Sequence, residues 1–161
     1  MNAPAATEST FYSPKALLDH WQGHRALTRR VIEAFPEDQL FTFSLGGMRT
    51  FGQFATELLR MAGPTVEGIA TSNWSDLNKI EPTTRAEILK LWDASTASMN
   101  TLWPTIPAER FHETMKAFGQ WEGRVNDLVM YVIDNEVHHR GQGYVYLRAL
   151  GIEPPPFWER V

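Results

Sequence analysis

The sequence predicts an all-α protein folded as a four-helix bundle. Apolar residues recur at three- and four-residue steps in four separate stretches, the period of a helix laid against a core. Three of those stretches open on capping residues, and three close on proline or glycine. No stretch carries a convincing strand alternation.

The first helix opens at Ser13-Pro14, an N-cap followed by proline at the first helical position. Leu17, Trp21, His24, Leu27, Val31 and Phe35 form its row, and Pro36 stops it. A loop from Glu37 to Arg49 carries Gly46-Gly47. Thr50-Phe51-Gly52-Gln53 is a capping box, in which threonine and glutamine side chains satisfy free N–H groups reciprocally. Phe51, Phe54, Leu58 and Met61 make the second apolar row. Gly63-Pro64 predicts a kink or break, with the helix resuming to about Ala70. Thr71 to Thr83 reads as a connector. Thr84 with Glu87 is a second capping box, and the third helix runs from about Arg85 to Leu102 with Ile88, Leu91, Trp92, Ser95 and Met99 on one side. Phe111 to Phe118 reads as a short extended or irregular piece. The last helix begins near Trp121 or Gly123 and runs to about Leu150, where Gly151 caps it. Pro154-Pro155-Pro156 cannot continue a helix, so the tail is predicted to be extended and to pack Phe157 and Trp158 back onto the bundle.

The 161 residues suit one domain, 1–161, with enough chain for a real core. Apolar content of 43 % and charged content of 21 % are ordinary for a globular protein. A net charge of −4 without a basic run lacks the electrostatic footprint of a nucleic-acid binder. The absence of cysteine excludes disulfides, thiolate nucleophiles and Cys-based metal sites, and agrees with a cytoplasmic protein. Residues 1–12 read as a loose arm without the features of a signal peptide. No apolar run reaches the roughly 20 residues needed to span a membrane.

The chemistry concentrates near the start of the last helix's second half. Leu128, Val132, Asn135, His139, Gln142 and Tyr146 fall in one helical row, so polar groups stand where a core face is expected. Asn135 and His139, four apart, project from adjacent turns of that face. Either they close a hydrogen-bonded network or they line a functional pocket, because unpartnered burial is costly. Glu57 borders the inner row of the second helix, as a solvated flank residue or as an anionic ligand facing Asn135 and His139. His24, on the first apolar row, is a hydrogen-bonded core residue or lines the same cavity. Arg49 precedes the capping box, where it could pair on the surface or hold a carboxylate or phosphate at a pocket mouth. Arg124, Arg140 and Arg148 read as flank residues that snorkel or pair at the surface. His138 points away from His139 and pairs with Asp134 at helical spacing. Gly141 and Gly143, costly inside a helix, call for a tight crossing or a helix–helix dimer contact.

The string His138-His139-Arg140-Gly141-Gln142, with Tyr146-Leu147-Arg148 and Gly151, resembles the last-helix signature of the DinB family, the DinB/YfiT-like group of helical bundles. Met48-Arg49-Thr50-Phe51-Gly52-Gln53-Phe54 resembles the start of that family's second helix. The resemblance implies a divalent metal held by three histidines, one on the second helix and two at i and i+4 on the last. The corresponding positions here are Glu57, Asn135 and His139, so one histidine of three is present. Two oxygen donors and one nitrogen lean toward harder ions such as Mn²⁺ or Mg²⁺, whereas three imidazoles suit Zn²⁺ or Ni²⁺. The site therefore holds a different metal, holds none, or borrows a neighbour such as His24. Gln142, one helical turn from His139, joins His24 and Arg49 as a pocket-lining candidate.

Two functions follow from the resemblance. One is a metal-dependent enzyme, a thiol transferase or a hydrolase, acting with a low-molecular-weight thiol. The other is a non-catalytic bundle that binds a small ligand or a partner, as in a stress response. The resemblance also implies a homodimer. Neither nucleic acid nor membrane is expected as a partner.

Overall fold

The computed structural model describes residues 12–76 and 79–160. The predicted loose arm lies outside them except for Tyr12. Four helices, α1 (Pro14–Ala34), α2 (Phe51–Thr71), α3 (Arg85–Leu102) and α4 (Val125–Ala149), form the bundle. Each of α1 and α2 packs against both α3 and α4, so α4 runs in the groove between α1 and α2.

The caps act as the sequence predicts. Ser13 Oγ accepts from the Ala16 N–H at 3.1 Å. Both capping boxes are closed, Thr50 with Gln53 and Thr84 with Glu87. Gly151, at φ 75°, lets the chain leave α4 with the Ile152 N–H on the Leu147 carbonyl at 2.8 Å.

Two apolar clusters fill the bundle. Trp21, Val66, Ile69, Met99, Trp103, Val129 and Ile133 belong to one. Val31, Phe35, Phe51, Phe54, Leu58, Trp92, Tyr146 and Leu147 belong to the other. Along α4 the clusters leave off at Ile133 and resume at Tyr146, and the polar residues Asn135, Glu136, His138, His139 and Arg140 lie between.

The structure corrects four expectations. Helix α2 runs unbroken through Gly63-Pro64, because Ala62, Thr65 and Val66 are buried and tertiary packing outweighs the lost ladder bond. A two-stranded antiparallel hairpin, β1 (Thr114–Ala117) and β2 (Trp121–Arg124), precedes α4, which starts only at Val125. Its strands are four residues long, and the inward turn of Met115 and Ala117 in β1 is too short to register as an alternation; positive φ at Phe118 and Gly119 makes the turn. Leu91 is exposed on α3. Phe157 and Trp158 meet edge to face but stay 61 % and 69 % exposed. The tail is held instead by Tyr144, whose hydroxyl donates to the Pro155 carbonyl at 2.7 Å, and by Arg30, paired with Glu159. Among the described residues no helix is long and apolar enough to cross a membrane.

Candidate functional site

Helix α4 presents two polar rows, one residue out of step. Asn135 and His139 face α2, while Glu136 and Arg140, about 100° further round, face α1.

The α2 side gathers five of the six site residues the sequence nominates. Glu57 is the hub. Its Oε1 accepts from Asn135 Nδ2 at 3.1 Å and faces His139 Nε2 at the same distance. Its Oε2 accepts from Arg49 at 2.5 Å. Gln142 Oε1 lies 2.7 Å from His139 Nδ1, which fixes the ring from the other edge. Phe54 stacks on the His139 ring, centroids 4.5 Å apart, and the Arg49 guanidinium lies over Phe54. Tyr146 anchors the Arg49 backbone by donating to its carbonyl at 2.8 Å. Partial burial raises the Glu57 pKa, but hydrogen bonds from Arg49 and Asn135 and the charges of Arg49 and His139 outweigh it, and the carboxyl is held below its ordinary value. The cluster opens to solvent at Arg49, Gln142 and the exposed Met48.

His24 does not join it. His24 lies on the α1 side, where sequence reasoning assigned no network. Glu136 is 1 % exposed and accepts from Thr28 Oγ1 at 2.7 Å and Trp21 Nε1 at 3.2 Å. Arg140 donates to Thr28 Oγ1 and the His24 carbonyl, both at 3.2 Å, and to His24 Nδ1 at 2.9 Å. On the other edge of the ring, His24 Nε2 faces His20 Nε2 at 3.1 Å and Arg160 Nη1 at 3.3 Å. Burial, then Arg140, Arg160 and His20, lower the His24 pKa from 6.5 to about 3. Burial likewise raises the Glu136 pKa, against the charges of Arg25 and Arg140 and the bonds from Thr28 and Trp21. Arg25 is fully buried over the Trp92 ring and donates to the Trp92 carbonyl. The surface reading of Arg140 is thus corrected: it is 6 % exposed. A signal was available. Val125, Val129, Val132, Glu136, Arg140, Gly143 and Leu147 share a helical row, the argument that singled out Asn135 and His139.

The glycines separate as well. A Cβ on Gly143 would stand 2.3 Å from the Phe51 ring, so this glycine admits α2. A Cβ on Gly141 would meet nothing within 4 Å.

The donor set does not fit a three-imidazole centre. The amide nitrogen of Asn135 and the cation of Arg49 both face Glu57, and Arg49 already neutralises the one anionic donor. Among the described residues no group of three His, Cys, Asp or Glu side chains could hold a metal ion.

Four helices enclosing a polar cluster between the second and the last define a small helical-bundle protein with an internal side-chain site. The sequence matches the DinB family over residues 6–160, and the chain belongs to that family. Its fold is similar to that of a DinB-like protein from Bacillus subtilis, at 17 % identity and a TM-score of 0.72, covering 89 % of this chain and 97 % of that one. A DinB-like protein from Bacillus cereus is similar at 18 % identity and a TM-score of 0.72, covering 91 % of this chain and 99 % of the other. Comparison with curated proteins finds no match.

Proposed function

We propose that this chain is a DinB-family binding bundle in which a charge-compensated hydrogen-bonded cluster replaces the metal centre. The observation that supports the reading is the occupancy of Glu57: Asn135 and His139 meet one carboxylate oxygen and Arg49 the other. A buried or half-buried charge so satisfied is a structural element, and breaking it to admit a cation sets that cation beside Arg49. The ligand of this bundle is a small molecule with an acidic group for half-exposed Arg49 and an apolar part for Met48.

One observation favours the metal-dependent alternative. Gln142 holds His139 by Nδ1 and so aims Nε2 at Glu57, the outer support that metal-bound histidines commonly have. Such a site would take a hard ion, Mn²⁺ or Mg²⁺, on Glu57, His139 and a turned Asn135 amide.

Elemental analysis of tag-free protein, loaded with Mn²⁺, Mg²⁺, Ni²⁺ or Zn²⁺ and freed of excess, separates the two. Retention far below one ion per chain is the expected result. Near-stoichiometric metal that disappears in Glu57→Ala and His139→Ala would overturn the proposal in favour of the metal-dependent reading.

A further inference from the structure

A cavity of about 170 Å³ opens at one end of the bundle. The start of α1, a short 3₁₀ helix (Ala108–His112) and the first turn of α4 meet there. It is separate from the Glu57 cluster. Asn126, on its wall, comes before Asn135 by about 14 Å along α4, at a rise of about 1.5 Å per residue.

The inner surface of the cavity is apolar. Leu17, 8 % exposed, and Phe111, 3 % exposed, form it, and both belong to the core cluster of Trp21 and Trp103. The Tyr12 ring adds a second aromatic wall. Glu109, His112 and Asn126 complete the lining. A 3₁₀ helix has about three residues per turn, so Glu109 and His112 leave it on one side.

The fold does not use these polar side chains. Among the described residues none of the three makes a hydrogen bond, and Glu109 has no ion pair. The cations close by in sequence are engaged elsewhere: Arg110 with Glu113 at 3.0 Å, Arg124 with Asp127 at 3.3 Å, and Lys15 with Asp19 at 2.5 Å.

We infer that this cavity binds a small primary amine whose apolar part is a single ring. The charge sets the head group. Glu109 is the only carboxylate of the lining, and no lysine or arginine lines the cavity. An organic anion would meet Glu109 without compensation. An ammonium brings three N–H donors and no acceptor, and Glu109, His112 and Asn126 each offer an acceptor. An aromatic wall attracts the same charge. The floor sets the rest of the ligand. A bare metal ion would leave Leu17 and Phe111 facing water, whereas a ring removes that apolar surface from it. The volume suits one ring, since an apolar protein cavity of about 150 Å³ holds benzene. This ligand is opposite in charge to the acidic one proposed for Arg49, so the two sites are separable by experiment.

The test is an NMR titration of the isotope-labelled full chain with benzylamine. A ligand this small is expected to bind with a dissociation constant on the order of 1 mM, shifting the resonances of Leu17, Phe111 and Asn126. Benzyl alcohol, which keeps the ring without the charge, should bind about threefold or more weaker, and benzoate weaker still. Glu109→Gln should weaken benzylamine by about the same factor and leave benzyl alcohol unchanged. The far-UV circular dichroism of that variant should stay that of wild type, because Glu109 is exposed and holds nothing in place. No saturable shift up to about 10 mM, well beyond the expected constant, overturns the inference. So does equal affinity for benzylamine and benzyl alcohol, or indifference of benzylamine to Glu109→Gln. Shifts centred on Glu57, Asn135 and His139 instead would overturn it as well.

Discussion

Single residues in the two α4 rows differ in what they do for the molecule, and pH separates them. His24 has its pKa lowered to about 3, so the unfolded chain binds a proton below 6.5 that the folded chain refuses. Stability therefore rises with pH between about 3 and 6.5, and acidification through that window destabilises the fold. His24→Gln keeps an acceptor for Arg140 but cannot be protonated; its urea midpoint should change less between pH 7 and pH 5 than that of wild type, and superimposable profiles would refute this. Glu57 acts lower down. Its depressed pKa stabilises the fold above the ordinary carboxyl value of 4.5, and that contribution disappears as pH falls through the folded-state value. Glu136 is a different case, because its partners are buried with it. Glu136→Ala strands Thr28 and Trp21 and leaves Arg25 and Arg140 uncompensated, and chemical denaturation should show a loss of about 3–5 kcal/mol. A loss below 1 kcal/mol or so would mean that the arginines find other partners.

Helix-level features divide into those written locally and those written by neighbours. The capping boxes belong to the first kind: Thr50 and Gln53, or Thr84 and Glu87, need nothing beyond four consecutive residues. Thr50→Ala should cost about 1 kcal/mol in thermal or denaturant unfolding. Gly143 belongs to the second kind. Gly143→Ala drives a methyl into the Phe51 ring and should cost about 1–3 kcal/mol, with no loss if α2 can slide aside. This division explains what was legible in the sequence. The four helices, their caps and the row through Asn135 and His139 follow from spacing within one segment. Glu57 was reached through the resemblance, which maps it to the second-helix ligand position; its spacing beside the apolar row fits a solvated flank residue equally well. The continuity of α2 across Pro64 was hidden, since it depends on packing that only the assembled bundle supplies. The hairpin was hidden because each strand is only four residues long and only Met115 and Ala117 of β1 turn toward the bundle, too short a run for an alternation to stand out. Glu136 and Arg140 were readable by the same periodicity but look like ordinary charged residues until α1 brings Thr28, His24 and Trp21 against them.

The whole molecule is two apolar clusters joined through a polar waist, with a tail strapped across α1. Arg160 packs on Gly23 and reaches His24 Nε2 at 3.3 Å, so the last residues adjoin the α1 network. Arg160→Ala removes one of the charges that hold His24 neutral, and an NMR titration should show the His24 pKa move up from about 3 while staying below 6.5. An unchanged value would place that charge too far into solvent to matter. The two rows of α4 also have separate duties, and that has a use in engineering. Glu136 and Arg140 fasten α4 to α1 without help from Glu57 or Asn135. The α2-facing row is therefore a socket whose fittings can be exchanged while its mounting stays fixed. Installing E57H and N135H together rebuilds three imidazoles around a position that His139 already occupies, and such a variant should keep its circular dichroism and retain about one Zn²⁺ or Ni²⁺ per chain.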